Sequence, residues 1–156
     1  MSYLNETAPE PGCIFCAKIR EDRDEQNYIV HRGERCFVIL NLYPYNSGHL
    51  LIVPYQHTGD LAALPVETGA DIFATAQHAI QALGNVMHPD GFNLGVNQGE
   101  AAGAGIADHV HLHIVPRWSG DTNFMPVLAD AKVIPELLSA TAAKLRPEFQ
   151  DQNCAE

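Results

Sequence analysis

Fixed positive charge is what this sequence has least of. From Cys36 to Pro116 there is not one lysine or arginine, and the whole chain sets 9 of them against 19 acidic residues, for a net charge of −10. A polymeric nucleic acid needs a basic footprint for its phosphates, so it is excluded as a partner. An anionic membrane surface is disfavoured for the same reason. Long apolar runs are missing too: none approaches the roughly 18 consecutive residues of a spanning helix. The N-terminal Met1-Ser2-Tyr3-Leu4-Asn5-Glu6 has no apolar stretch, so no signal peptide is expected. Cysteine is scarce. Cys13, Cys16, Cys36 and Cys154 are too few for a disulfide scaffold in 156 residues, which makes a cytoplasmic compartment the default.

Histidine is what the basic-poor stretch does contain: of 8 in the chain, seven lie there. An anion bound in that stretch has to be held by imidazoles, backbone N–H groups and one or two placed cations.

Apolar periodicity sets the organisation. Residues 1–12 read as an N-terminal arm, 13–147 as a single domain and 148–156 as a C-terminal tail. Extended segments are expected at Tyr28–His31, Cys36–Leu40, His49–Val53, Phe92–Val96 and His109–Val115, with turn residues between them. A long helix is expected from Pro65, as its first residue, to about Met87. A second is expected from Val133 to Leu145, ended by Pro147. The class is α+β, a mostly antiparallel five-stranded sheet with one long and one C-terminal helix.

The strongest motif is His109-Val110-His111-Leu112-His113. In a strand these three imidazoles share one face, spaced about 7 Å apart, while Val110, Leu112 and Ile114 face a core. Burying three polar rings has no packing benefit, since each needs a partner. Just before it, Gly99, Gly103 and Gly105 allow positive φ and close approach to a ligand, a backbone nest suited to phosphate oxygens. The plainer reading of the glycines alone is a flexible loop. Cys13-Ile14-Phe15-Cys16 is the other constellation: half of a zinc site, or a redox pair, though the latter calls for a preceding strand. Cys36 reads as a small core residue and Cys154 as incidental. His31, His78 and His88 have no visible partners and are expected to face solvent.

Gly48-His49, then Asn97 and a glycine-rich loop, then His109-Val110-His111-Leu112-His113-Ile114-Val115-Pro116-Arg117, resembles the histidine triad (HIT) family of nucleotide hydrolases and transferases. Asn93-Leu94-Gly95 and the segments after Pro116 and Lys132 are similar to a bacterial branch related to diadenosine tetraphosphate phosphorylases. The resemblance implies a HIT-like α+β fold, a homodimer and an adenosine-containing nucleotide substrate. It makes His111 the nucleophile at the α-phosphorus, with its other ring nitrogen held by the backbone of His109. His113 would donate to a phosphate oxygen, and His49 would support it. Asn97 would contact phosphate, and Asn41 the ribose hydroxyls. Ile39, Leu42 and Phe15 match base-pocket walls, though core packing explains each equally well. Where many members carry polar side chains before the triad, this chain has Ala104-Gly105-Ile106, so N–H groups from Gly103 through Ala104 to Gly105 would stand in. A zinc-bearing branch implies Cys13, Cys16, His57 and His109 as ligands of a structural zinc. Arg117 could bind distal phosphates, and Trp118 could stack on a base or close a dimer contact; surface packing explains both as well.

The function so implied is nucleotidyl transfer through a nucleotidyl-histidine. Phosphorolysis of diadenosine tetraphosphate to ATP and ADP leads. A hydrolase releasing AMP from a dinucleotide or phosphoramidate, and a non-catalytic nucleotide-binding, zinc-stabilised module, remain alternatives.

Overall fold

Two consecutive apolar segments, Cys36-Phe37-Val38-Ile39-Leu40 and Leu50-Leu51-Ile52-Val53-Pro54, leave no polar side chain to face water, and a strand of that kind must be covered on both faces. A computed structural model, which describes residues 12–121 and 136–150, shows this arrangement. Its elements are α1 (Ile14–Arg20), α2 (Asp24–Asn27), β1 (Ile29–Arg32), β2 (Cys36–Leu40), β3 (Leu50–Pro54), α3 (Val66–Met87), β4 (Gly91–Val96), β5 (Leu112–Arg117) and α4 (Leu138–Gln150). The five strands form one antiparallel sheet in the order β1-β2-β3-β5-β4.

Strand alternation sorts the side chains into two layers. Val38, Leu40, Leu50, Ile52, Leu112 and Ile114 point to one face, where α3 (Ile72, Ala76, Ala79, Leu83) and α4 (Ala142, Leu145, Phe149) cover them. Phe37, Ile39, Leu51 and Val53 point to the other, where Cys13 and Phe15 of the N-terminal segment close over them. His113 therefore lies on the side opposite α3, and Leu112 and Ile114 face the core as expected.

Gly48 makes the turn into β3 and so sets the position of His49. It sits at φ +76°, and a Cβ there would come within 2.6 Å of Met87 Sδ and 3.3 Å of Pro116 Cγ. A larger residue there would take a backbone conformation that favours glycine and would push the Met87 and Leu83 side chains aside.

Several boundaries differ from the sequence expectation. The first strand is Ile29–Arg32 rather than Tyr28–His31, because Tyr28 takes the left-handed cap position of α2. The third runs Leu50–Pro54, with Pro54 paired to Cys36 rather than stopping the strand. The long helix has Pro65 as its cap, not its first residue. Its end at Met87, capped by left-handed His88, is as expected. The last helix does not end at Leu145: it runs through Pro147 to Gln150. Its buried face, Thr141, Ala142, Leu145 and Phe149, continues beyond the proline, and tertiary packing outweighs the lost N–H. Glu136 and Leu137 are not helical, while Val133, Ile134 and Pro135 lie outside the described residues, as do residues 1–11, 122–132 and Cys154.

Two of the three histidines expected in solvent are half-buried. His31 stacks on Phe149 at 5.0 Å, and His78 lies 4.6 Å from the same ring with its Nε2 3.1 Å from Glu148 O. Alternation and helix phase alone could not reveal that α4 crosses both. His88 is exposed. Cys36 is a core residue as expected, its thiol pushed up to about 11 by burial. No helix among the described residues is long and apolar enough to cross a membrane.

Candidate active site and metal centre

The triad run is not one uniform strand. Only Leu112 and His113 lie in β5, which starts at Leu112 and continues through Pro116 to Arg117. His109, Val110 and His111 precede it, and Val110 N–H is bonded to Thr58 O at 2.7 Å instead of to the sheet ladder. Pro116 is tolerated because β3 pairs only Leu112–Ile114, which leaves Pro116 beyond that partner. The break turns the three imidazoles toward different partners. Each ring's partners fix where its proton sits.

His109 is buried, and its Nε2 lies 2.9 Å from Pro54 O, which only an N–H can satisfy. The lone pair is then on Nδ1, which stands 3.2 Å from Cys13 Sγ, 3.7 Å from Cys16 Sγ and 3.3 Å from His57 Nδ1. Cys16 Sγ is 3.5 Å from His57 Nδ1. All four expected ligand atoms lie within 4.8 Å of one another. A tetrahedral zinc with bonds of about 2.0–2.3 Å places its ligand atoms roughly 3.3–3.8 Å apart, so the donor set fits this metal in chemistry and in size. Burial pushes the Cys13 thiol up, with the backbone N–H groups of Cys16 and Phe15 pulling the other way. That is opposite to the lowered value of an attacking redox cysteine. Asp108 stands 4.0 Å from the outer nitrogen of His57.

His111 is also buried. Its Nδ1 is 2.8 Å from His109 O, so Nδ1 carries the proton and Nε2 the lone pair. Burial lowers its pKa, and the same hydrogen bond opposes that shift. An imidazole kept neutral with a lone pair on Nε2 is a nucleophile without further activation.

His113 is the reverse. Tyr45 N–H donates to His49 Nδ1 at 3.0 Å, which leaves the His49 proton on Nε2. That N–H points to His113 Nδ1 at 2.9 Å, so His113 carries its own proton on Nε2. Burial, with a contribution from His111, pushes His113 down to about 4, so it is a neutral donor near pH 7. Its ring lies 4.8 Å from that of His111.

His113 lines a cleft of about 460 Å³ together with Asn97, Asn93, Asn46, Arg117 and Asp121. Tyr45, Leu94, Gly95 and Val115 complete the wall. A second cavity of about 470 Å³, bordered by Trp118, Val86, Met87 and Lys144, shares Asn46 and Asp121 with the first.

Other expected site residues sit differently. The Arg117 fork is engaged: Nε and Nη2 each donate to Asp121 at 2.7 Å, and Nη1 donates to Asn93 Oδ1 at 2.6 Å. Its bidentate face holds a carboxylate of the protein rather than a phosphate, and the pair holds the Asp121 carboxyl well below its usual range. The nest is also partly spent. Gly103 N–H donates to Glu100 O at 2.9 Å and Ala104 N–H to Gly99 O at 3.3 Å. Gly99 and Gly103 take positive φ. Asn41 is tied into its own turn, accepting from Tyr43 N–H at 3.0 Å with its amide nitrogen 3.4 Å from His49 Nδ1. Ile39 and Phe15 are core residues of the layer opposite α3, and Leu42 is on the exposed turn; none of the three borders the cleft. Tyr45, Asn46, Asn93 and Asp121 were not among the expected site residues. The i, i+4 spacing of Arg117 and Asp121 was a readable signal for one of them. The others come together through the register of β4 and the turn before β3, which no local pattern states.

The family model described as HIT domain matches residues 22–120. An AP-4-A phosphorylase of Mycobacterium tuberculosis is 45% identical over 160 residues, covering 97% of this chain and 82% of its own length. An adenylylsulfatase of Arabidopsis thaliana is 34% identical over 109 residues, which is 70% of this chain and 54% of that one. The crystal structure of a Zn-bound histidine triad family protein from Mycobacterium smegmatis matches with a TM-score of 0.75 at 31% identity, covering 93% of this chain and 98% of that one. With the fold, the ordered triad and these relatives in agreement, this chain belongs to the HIT domain family.

Proposed function

We propose that the protein is a nucleotidyl transferase working through His111, and that its reaction is phosphorolysis of diadenosine tetraphosphate to ATP and ADP. The observation that carries the reading is the proton arrangement of the triad: a lone pair on His111 Nε2 beside an N–H on His113 Nε2. In the first step His111 Nε2 bonds to an α-phosphorus, the α–β phosphoanhydride bond breaks, and ATP leaves. His113 donates to a non-bridging oxygen as charge builds there, a contribution of the oxyanion-hole kind. Asn97, across the same cleft, holds a second phosphate oxygen. In the second step an oxygen of inorganic phosphate attacks the same phosphorus, the P–N bond breaks, and ADP leaves with His111 regenerated.

Identity of 45% to an AP-4-A phosphorylase over nearly the whole chain supports phosphate as the acceptor. Water is the competing acceptor, with AMP as product. The observation favouring it is the Arg117 fork, whose charge is matched by Asp121. Incubation with the dinucleotide, with and without phosphate, separates them. Strict dependence on phosphate with ADP formed is the expected result; AMP release without phosphate would contradict it.

Cys13, Cys16, His57 and His109 would hold a zinc ion, which when bound supplies a closed structural tether between the N-terminal segment and the triad. The same reading includes a homodimer, tested by sedimentation velocity, and a reducing, cytoplasmic setting in which Cys13 and Cys16 stay out of disulfides.

A further inference from the structure

The Asp121 carboxylate does more than pair with Arg117. Arg117 Nε and Nη2 each donate to it at 2.7 Å, Trp118 N–H at 3.1 Å and Asn46 Nδ2 at 2.7 Å. Gly120, at φ +83°, turns the chain back there, and Asp121 N–H closes the turn on Trp118 O at 3.0 Å. The Asp121 side chain is only 12% exposed, against 39% for that of Arg117. Asn46 carries this cluster to another part of the molecule. Its amide nitrogen faces two acceptors, Asp121 Oδ2 and, at 3.1 Å, Pro116 O, so the orientation of the amide is fixed. Asn46 lies in the turn that leads into His49. Its carbonyl accepts from His49 N–H at 3.2 Å, and the residue before it, Tyr45, donates its own N–H to His49 Nδ1 at 3.0 Å. That N–H keeps the His49 proton on Nε2, which faces His113 Nδ1 at 2.9 Å. Asn41 Nδ2, a second donor to the same His49 atom, stands farther off at 3.4 Å.

We infer that Asp121 is a positioning residue for the His49–His113 relay: through Asn46 it holds the Tyr45 turn on the end of β5, and so keeps the His113 proton on the nitrogen that faces the cleft. The inference rests on the proposed role of His113 and deepens it by giving Asp121, Asn46 and Arg117 a share in that role. With Asn46 released, the turn keeps its bonds to Asn41, from Asn41 N–H to His49 O and from Tyr43 N–H to Asn41 Oδ1, but its tip loses the tie to β5. A Tyr45 N–H drawn away from His49 Nδ1 leaves the longer Asn41 contact to hold the lone pair there. A neutral imidazole so placed shares its proton between its two nitrogens. The two rings must switch together. A proton on His49 Nδ1 leaves a lone pair on Nε2, which calls for an N–H on His113 Nδ1, and His113 Nε2 then has no proton to donate. Arg117 serves to hold Asp121 in place rather than a phosphate of the substrate. A phosphate on its fork would displace two charge-assisted bonds and leave a carboxylate beside an anion.

Histidine tautomers and steady-state kinetics test this together. Long-range ¹H–¹⁵N spectra of the ¹⁵N-histidine protein are recorded for the wild type, Asp121→Asn and Asn46→Ala, with circular dichroism to confirm the fold. Asparagine at 121 keeps the shape of the side chain but turns an NH₂ group toward one of the donors. The wild type should show His49 and His113 each as a single Nε2–H form. In both variants the two rings should become mixed together. The kcat should fall at least in proportion to the lost Nε2–H population, roughly threefold or more, with little change in KM. Because the two substitutions cut one chain of contacts, the double variant should be no worse than the more damaging single one. Arg117→Gln should follow the same pattern; a rise in KM for the dinucleotide with kcat retained would make Arg117 a phosphate ligand and overturn the inference. Single Nε2–H forms at His49 and His113 in a folded Asp121→Asn protein would overturn it as well. If Asp121→Asn does not fold, Asn46→Ala, which leaves the Arg117–Asp121 pair in place, decides by the same two readouts. The spectra need no turnover, so tautomers that respond in a protein inactive on the dinucleotide would support this coupling and count against the proposed reaction.

Discussion

At one end of the His109–His113 run the ring is only 1% exposed and shares a closed group of four donor atoms. At the other end the ring is half-buried and borders an open cleft lined by asparagines and an Arg–Asp pair. The side chains are the same, and so is the sequence spacing. What differs is which nitrogen each backbone or side-chain neighbour occupies. Pro54 O takes the Nε2 proton of His109 and turns Nδ1 to the thiols. The Tyr45–His49 relay takes Nδ1 of His113 and leaves Nε2–H to the cleft. Between them, the backbone of the first residue sets the tautomer of His111. A histidine becomes a ligand, a nucleophile or a donor according to its second hydrogen bond.

The sharpest way to break this division is His111→Asn. Turnover should fall by at least about a thousandfold, since the group that forms the covalent bond is gone. Zinc content should be unchanged; steady-state assay and metal analysis check both. Next is the closed end. Cys13→Ala should reduce zinc below one equivalent and lower Tm by roughly 10 °C, corresponding to about 3 kcal/mol at 2–4 °C per kcal/mol. Calorimetry reads it, and zinc retained in full would remove Cys13 from the ligand set. At the open end, His49→Ala should cut kcat by roughly a hundredfold through loss of the His113 proton relay, with zinc retained.

How much of this division was legible in the sequence follows from the reach of each signal. The grouping of Cys13, Cys16, His57 and His109 was legible because a C-x₂-C pair and the triad motif are local patterns, and a family resemblance connected them. The two-layer sheet was legible because β2 and β3 are apolar at every position. The cleft was not. Asn46, Asn93 and Asp121 meet only once β4 pairs with β5 in the register Asn93↔Val115, and a period of two says nothing about register. The expected roles of Arg117 and the glycine loop rested on residue type, and residue type does not show that Asp121, Glu100 O and Gly99 O had already taken those donors. The strand itself begins at Leu112, with Val110 N–H on Thr58 O, a boundary alternation does not give, while the His111 and His113 rings still lie 4.8 Å apart and Phe15 meets both His109 and His111.

The open end also carries a response to acid. His113 is held near 4, against about 6.5 for a free imidazole. As pH falls from about 6.5 toward 4, the unfolded chain binds a proton that folded His113 does not, so stability should decline through that window. Urea melts at pH 7, 5.5 and 4.5 measure this; His113→Gln should flatten that part of the profile. Smallest of all is the effect expected far from both ends: Phe73, 64% exposed on α3, changed to Ser should alter stability by less than about 0.5 kcal/mol and leave zinc and turnover alone.

If His111 is the nucleophile, it forms a covalent bond with the nucleotide. Rapid quench of the wild-type protein with diadenosine tetraphosphate, followed by intact-mass and peptide analysis, tests it most directly. One adenylyl group should map to His111, formed without phosphate and discharged as ADP when phosphate is added. An adduct on another residue, or turnover of the dinucleotide by His111→Asn at the wild-type rate, would contradict it.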